Sequence, residues 1–413
     1  MNLSLDDIGA LLERLGSPHR AYPSVLVAGT NGKGSVTTYV SSILRETGRR
    51  VGSFYSPHIV RIHERIRIDG EEIDSASLDD LIGEVRRAAG SIPFTYFECL
   101  TAVAALHFLR RRVDVAVFEV GLGGRLDATN LVEAAVTAVT GISIDHREHL
   151  GRTKERILEE KLGIARAGIP LVANLAARGL IRRARARCAE REAPLHLVPQ
   201  EVRAEIVRLE PRRMSLRVAT PERDYGMLET RMIGAAQAGN IATAVRVVEL
   251  FGGAHPPRAG LGAVRRGVRA AFLAGRFQVV RENPRVVVDV SHNEESLLAA
   301  LETLRTLSPP ERSILVFGAL AHKELGRFPR RAARSAREII AARIAEPGGA
   351  SGARLGEIFR AASREAGGRG AAVRVARSVA EAVREAERRA APEDTIVVLG
   401  SHHTAGEAAA SIR

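Results

Sequence analysis

Seven residues near the N-terminus, Gly29-Thr30-Asn31-Gly32-Lys33-Gly34-Ser35, combine the types that hold a phosphate. They come after the apolar, β-branched run Ser24–Ala28 and precede Val36–Thr47, whose apolar residues recur at helical spacing. A glycine-rich turn between a buried strand and a helix start aims backbone N–H groups and the helix dipole at an anion. The lysine adds a mobile cation, and a Ser or Thr hydroxyl can face Mg²⁺. The strict G-x-x-x-x-G-K-[ST] spacing is not met, because Val27 stands at its first position and Gly34 separates Lys33 from Ser35. A glycine-rich turn without a ligand is the alternative; strand before, helix after and a lysine inside favour phosphate.

Glu119 is the second such residue. It is the next-to-last residue of the apolar run Val113–Val120, which Gly121 follows, and open α/β sheets place ligands at the carboxyl ends of buried strands. Capping the next turn is its bland reading. The lysines form a third group. Of 61 Lys+Arg, four are lysine: Lys33, Lys154, Lys161 and Lys323. Against so strong an arginine bias, a surviving lysine can mark a place where only a compact primary amine serves.

The elements that must position these residues read as alternating strands and helices. Strands are expected at Ser24–Ala28, Val113–Val120 and Val136–Ile142, with helical stretches at Val36–Thr47 and Glu98–Arg112. Such alternation predicts βαβ units and a parallel sheet. Residues 195–232 differ, with shorter, more polar strands at Leu195–Val198, Val202–Leu209 and Met214–Val218, read as a small antiparallel insert. A helix at Ala238–Phe251 and a Gly- and Pro-rich connection at 252–262 close the first half. A second series comes next: strand Val286–Val290, helix Glu294–Leu307, strand Ile314–Gly318 and helix Arg330–Ala342. Further pieces are expected at Leu355–Ala366, Val379–Ala390 and Thr395–Leu399. The 413 residues thus divide into domains 1–273 and 274–413, in line with the usual domain size.

Composition removes other classes. Forty-five per cent hydrophobic and 26% charged residues are ordinary for globular chains. Two distant cysteines, Cys99 and Cys188, exclude a disulfide framework and fit a reducing compartment. The N-terminal MNLSLDDIGALLERLG has no signal-peptide pattern, and no apolar stretch is long enough to span a bilayer. A cytoplasmic protein without a membrane partner is expected. The net charge of +13 raises the question of nucleic acid, since cations bind phosphates non-specifically. Single-strand binders add aromatic platforms, yet Trp is absent and no aromatic residue interleaves with the arginine runs 182–187, 330–337 and 384–389. Those runs mix with Ala and Glu at helical spacing and read as solvated faces. A small anionic substrate is at least as good a use of the charge, and no nucleic-acid partner is expected.

Taken with several downstream blocks, GTNGKGS resembles the ATP loop of the Mur ligase superfamily, and more specifically that of folylpolyglutamate synthases, often bifunctional as dihydrofolate synthases. Tyr55-Ser56-Pro57-His58-Ile59-Val60-Arg61 with Glu64-Arg65-Ile66 is similar to that family's SPHL-V-R…ER-I segment. Phe97-Glu98-Cys99-Leu100-Thr101-Ala102 is similar to its FE-LTA helix start. Glu119 to Asn130 reads EVGLGGRLDATN and equals the family block at every position. Asp145-His146, Leu150-Gly151 and Glu160-Lys161-Leu162-Gly163-Ile164 agree in order. The later matches are sparser: Gln237 and Asn240, Gly275-Arg276, Asp289 with His292-Asn293, Gly318-Ala319-Leu320 and Lys323.

The resemblance implies an α/β fold, a Mur-ligase-like phosphate-loop ATPase domain with a small antiparallel insert and then a smaller Rossmann-like α/β domain. It implies ATP, Mg²⁺ (two ions, with K⁺ a further candidate), L-glutamate and a folate or dihydropteroate as ligands, in a monomer. The reaction would phosphorylate a carboxylate and let the amine of glutamate attack the acyl phosphate. By resemblance, Thr30, Asn31, Gly32, Lys33, Gly34 and Ser35 bind ATP, together with Asn240 at the adenine, Arg276 at the phosphates and Asp289 at the ribose. Ser56, Glu119 and His146 would surround magnesium, and Lys161, carbamylated by CO₂, would ligate a second ion. A surface helix lysine is the other reading of Lys161. Lys33, Lys161 and His292 are the catalytic candidates, His292 near the γ-phosphate or the glutamate, unless it only stabilises a turn. Thr95, Tyr96, Phe97 and Glu98, with Leu126, Asp127 and Ala128, are the candidates for pterin contacts.

Three departures bear on the acceptor. The chain starts where the family has an IDLGLER-like segment, so the helix that usually precedes it, part of the pterin pocket, is expected to be missing. Asp289-Val290-Ser291-His292-Asn293-Glu294 stands where the family reads DGAHNP, which changes the turn. Gly400-Ser401 leads into His402-His403 rather than an aliphatic and aromatic run; adjacent histidines point different ways on most backbones, which disfavours a metal there. Lys323 lies beyond the strand SILVFGAL, where a loop could reach phosphate. Two alternatives stay open, a Mur-type ligase with another carboxylate acceptor and a nucleic-acid-coupled NTPase.

Overall fold

In the computed structural model, which describes residues 4–367 and 370–412, the apolar segments form the centres of two sheets. The larger has eight strands in the order Glu71–Glu72, Ile66–Ile68, Val51–Phe54, Val115–Glu119, Ser24–Ala28, Ala134–Val139, Leu171–Ala173 and Leu195–Leu197. From Val51–Phe54 onward all neighbours are parallel; the first two strands add an antiparallel edge. Ser24–Ala28 and Val115–Glu119 are buried at every position, as expected for strands covered on both faces.

The smaller sheet has six strands in the order Gln278–Arg281, Arg285–Val288, Thr395–Leu399, Ser313–Phe317, Glu338–Ala342 and Ala372–Ala376. All but the antiparallel first strand run parallel. Internal contacts divide the chain into two units. One comprises the chain up to Glu205, Leu216–Glu229 and Gln237–Ala271; the other comprises Ile206–Ser215, Thr230–Ala236 and the chain from Phe272 on. Among the described residues no helix is long and apolar enough to cross a membrane.

Three expectations need correction. Leu195–Leu197 is not in the insert: it pairs parallel with Leu171–Ala173 at the edge of the large sheet. The three-stranded sheet is instead Arg203–Glu210, Arg213–Ala219 and Asp224–Thr230, whose connections of two and four residues permit only antiparallel neighbours. The expected helix Arg330–Ala342 stops at Ala332, and Glu338–Ala342 is a fully buried strand. A short apolar run such as EIIAA fits either state by periodicity, and the sheet decides it. Finally, the expected connection at 252–262 is shorter. The helix Ala236–Ala254 runs into it, and a further helix, Leu261–Ala270, starts at its end.

Candidate active site

The phosphate loop is shaped by two glycines. Gly29 and Gly32 have φ of +146° and +88°, where a side chain is strained. A Cβ on Gly29 would overlap the side chain of Thr140, and one on Gly32 would overlap Oδ1 of Asn240. Gly32 is the N-cap of the helix Lys33–Arg45 and gives it no side-chain cap, so the first-turn N–H groups face the loop, as an anion site requires. Lys33 donates from Nζ to the carbonyl of Thr30 at 3.3 Å. Ser35 is buried one turn in. Asn240, on the helix Ala236–Ala254, donates from Nδ2 to Oε1 of Gln237 at 3.0 Å.

Behind the loop, the end of Ala134–Val139 leads into a segment that clasps it. Thr140 donates from Oγ1 to the carbonyl of Asn31 at 2.7 Å, and Asn31 donates from Nδ2 to Oγ of Ser143 at 3.0 Å. Thr30 uses both its groups here: its N–H donates to the Gly141 carbonyl at 2.9 Å, its hydroxyl to the Ser143 carbonyl at 3.2 Å. Sequence reading does not single out Thr140 or Ser143. Two small polar residues after a strand carry no signal until the loop they touch is known.

Glu119 closes its strand, 5% exposed. The backbone N–H of Ser56 donates to its Oε2 at 3.2 Å, which places these two residues side by side. His146 comes later, in a left-handed backbone (φ 49°), and its N–H donates to Oδ1 of Asp145 at 2.9 Å. Among the described residues no group of three or more His, Cys, Asp or Glu gathers as a metal site. The expected set takes only Glu119 and His146 from those types. Its other donors are a hydroxyl and a modified lysine. The oxygen-rich set, with a buried carboxylate at a strand end, suits a hard divalent cation.

Lys161 is 4% exposed on the helix Lys154–Leu162, in the stripe of Ile157, Leu158 and Leu162. Burial, and then the charge of Lys33, lower its pKa from 10.5 to about 7; Asp127 and Asp145 pull the other way. The phosphate-loop lysine, the buried lysine and two carboxylates therefore share one electrostatic field. The reading of Lys161 as a surface lysine is overturned by its burial.

The expected acceptor contacts divide. Thr95 and Glu98 form a capping box on the helix Tyr96–Arg110: Glu98 Oε2 accepts from the Thr95 N–H at 2.6 Å, and Thr95 Oγ1 accepts from the Glu98 N–H at 3.3 Å. Asp127 is buried and accepts from the N–H groups of Leu122 and Thr129 at 2.9 and 3.0 Å, holding the GLGGRLD turn. Burial raises its pKa. Ala128 is buried and Leu126 half-buried. Phe97 packs on Phe54 at 5.7 Å and fills the space that a Cβ on Gly121 would take. Tyr96 is 57% exposed, with the Arg65 guanidinium 5.6 Å from its ring centre.

In the second unit, Asp289 comes directly after Arg285–Val288 and accepts from the N–H groups of Phe277 and Ser291, both at 2.8 Å. Arg276 lies half-buried between Gly275 and Phe277, and its Nη1 donates weakly to the Gly275 carbonyl at 3.4 Å. His292 Nδ1 is 3.0 Å from the Val290 carbonyl, and its ring lies 5.6 Å from that of His402. His403 instead pairs with Glu346 at 3.3 Å. Lys323 is half-buried.

Residues 27–248 match the Mur ligase middle domain and residues 275–402 the Mur ligase glutamate ligase domain. This defines the class: a ligase with a nucleotide-binding middle domain and then a ligase domain. The dihydrofolate synthase/folylpolyglutamate synthase of Escherichia coli is 33% identical over 412 residues, 98% of this chain and 90% of that protein. A probable bifunctional folylpolyglutamate synthase/dihydropteroate synthase of Haloferax volcanii is 34% identical over 98% of this chain, which spans about half of its length (48%). A crystal structure of a bifunctional folylpolyglutamate synthase/dihydrofolate synthase with Mn, AMPPNP and L-glutamate bound superposes with a TM-score of 0.86, 31% identity and coverage of 100% of this chain and 95% of that one. The chain belongs to the dihydrofolate synthase/folylpolyglutamate synthase family of Mur ligases.

Proposed function

We propose that this chain is an ATP-dependent ligase that joins L-glutamate to the carboxylate of a folate or dihydropteroate. The observation that carries the reading furthest is Lys161, a buried amine with its pKa brought down to about 7 beside the phosphate-loop lysine. A structural lysine gains nothing from that position; an amine that must be neutral to react does.

The loop amides, Lys33 and Ser35 hold the ATP phosphates next to the acceptor carboxylate. A carboxylate oxygen attacks the γ-phosphorus, the bond to the bridging oxygen breaks, and ADP leaves with that electron pair. The amine of glutamate then attacks the carbonyl carbon of the acyl phosphate. Inorganic phosphate departs with the C–O electrons, and the nitrogen loses a proton. Negative charge builds on the phosphoryl oxygens, so fixed cations and N–H dipoles act where charge develops.

Ser56, Glu119 and His146 would hold a divalent ion, which we infer to be Mg²⁺, and carbamylated Lys161 a second. When bound, such ions offset the phosphate charge. The neutral Nζ of Lys161 forms an N–C bond to CO₂ and releases one proton, which converts a cation into a carboxylate ligand. Asn240, Arg276 and Asp289 are the proposed nucleotide contacts beyond the phosphates, and His292 is the proposed contact of the γ-phosphate or glutamate. For the acceptor, exposed Tyr96 under Arg65 is a stacking surface. Thr95 and Glu98 act by fixing the start of its helix, and Asp127 by holding the GLGGRLD turn.

Phosphate release that depends on both glutamate and acceptor tests this reading. Lys33→Ala removes the mobile cation and is expected to abolish it; unchanged turnover would contradict the assignment.

A further inference from the structure

A loop that is to receive an anion on its N–H groups must have its shape held from behind. The segment 140–143 does this with side chains and backbone alike. Thr140 is fully buried, its N–H donates to the Ala28 carbonyl at 2.8 Å, and its hydroxyl donates to the Asn31 carbonyl at 2.7 Å. The same hydroxyl occupies the room that Gly29 leaves by having no Cβ. Ser143, 2% exposed, takes the Asn31 amide on its hydroxyl and the Thr30 hydroxyl on its carbonyl. Gly141 and Asn31 form a single antiparallel bridge between these contacts.

From this we infer that Thr140 and Ser143 are positioning residues for the nucleotide phosphates, acting through Thr30 and Asn31 rather than by touching the ligand. A glycine-rich loop is otherwise free to sample many backbone states, and each must be excluded when the phosphate binds. The clasp removes that freedom before the nucleotide arrives. It also ties the loop to the segment that continues into Asp145, whose charge acts on Lys161. The inference rests on the loop being the nucleotide site, but not on which carboxylate is the acceptor.

Titration calorimetry with ADP alone is the test, since it needs no acceptor and so separates a failed clasp from a failed substrate assignment. Thr140→Val keeps the shape and removes the hydrogen bond from Oγ1 to the Asn31 carbonyl; ADP should bind about tenfold more weakly. Thr140→Ser keeps the donor and should bind within about twofold of wild type. Ser143→Ala, the milder variant should Thr140→Val fail to fold, should weaken binding several-fold. Ser42→Ala is the control. It removes a buried hydroxyl that donates to the Gly267 carbonyl at 2.8 Å, so it should lower Tm and leave ADP affinity alone. KM for glutamate should not move in any of them. ADP affinity unchanged in both Thr140→Val and Ser143→Ala, or weakened equally in Ser42→Ala, or not restored by Thr140→Ser, would overturn the proposal.

Discussion

Lys161 makes the sharpest prediction, because its chemistry depends on pH and on a gas. An ordinary lysine with pKa 10.5 is neutral in only about one molecule in 3,000 at pH 7. With a pKa of about 7, about half of the Lys161 amines are neutral at that pH. Because the value is lowered, the neutral form grows as pH rises through about 7 and disappears below it. Carbamate formation also releases a proton. At a fixed CO₂ pressure the ratio of carbamate to ammonium therefore falls roughly 100-fold for each pH unit below 7, tenfold from each of the two protons. The assay is ¹³C NMR of protein equilibrated with ¹³CO₂, run beside glutamate-dependent phosphate release at pH 6 and pH 8. A carbamate resonance is expected in the wild type and none in Lys161→Arg or Lys161→Gln. Turnover at pH 6 should rise with CO₂ pressure, and turnover at pH 8 should be nearly insensitive to it. The reasoning is refuted if no resonance forms at pH 8 and turnover ignores CO₂ at both pH values. Lys161 would then act as an amine.

Two further perturbations test other parts of the account. Gly32→Ala puts a methyl group into Asn240 Oδ1 at a φ of +88°, so ADP binding should fall at least tenfold in calorimetry while the fold, monitored by circular dichroism, is retained. Arg246 holds Glu201, Glu222 and Glu249 at 2.8, 2.8 and 3.1 Å, and the Glu249 side chain is 5% exposed. Arg246→Met should therefore cost about 3–5 kcal/mol in urea unfolding, with part of it recovered by adding Glu249→Gln.

Legibility in the sequence varied with what local signals could reach. Ser24–Ala28, Glu294–Leu307 and Thr395–Leu399 fall where their patterns place them, because each is a clean apolar period bounded by a turn residue or a cap such as Asn293. Glu338–Ala342 reads wrongly as helix because its state depends on the sheet around it, and the placement of Leu195–Leu197 depends on a sheet in the same way. The phosphate loop is readable from strand, glycines and helix. The burial of Lys161 has a usable trace, since Ile157 and Lys161 lie four residues apart on one helix face. The capping duty of Glu98 is also traceable, in the Thr95-x-x-Glu98 spacing. The clasp on the loop is not, because Thr140 and Ser143 lie more than a hundred residues away and meet it only through the pairing of Ser24–Ala28 with Ala134–Val139.

The central claim, that the chain joins glutamate to a folate-type carboxylate at the expense of ATP, is tested most directly by phosphate release measured with and without glutamate. Dihydropteroate, tetrahydrofolate and a muropeptide would be offered in turn, with Lys33→Ala as the blank. The account predicts glutamate-dependent release with dihydropteroate, tetrahydrofolate or both, none with the muropeptide and none in the variant. Release with the muropeptide alone, or release that ignores glutamate, would contradict it.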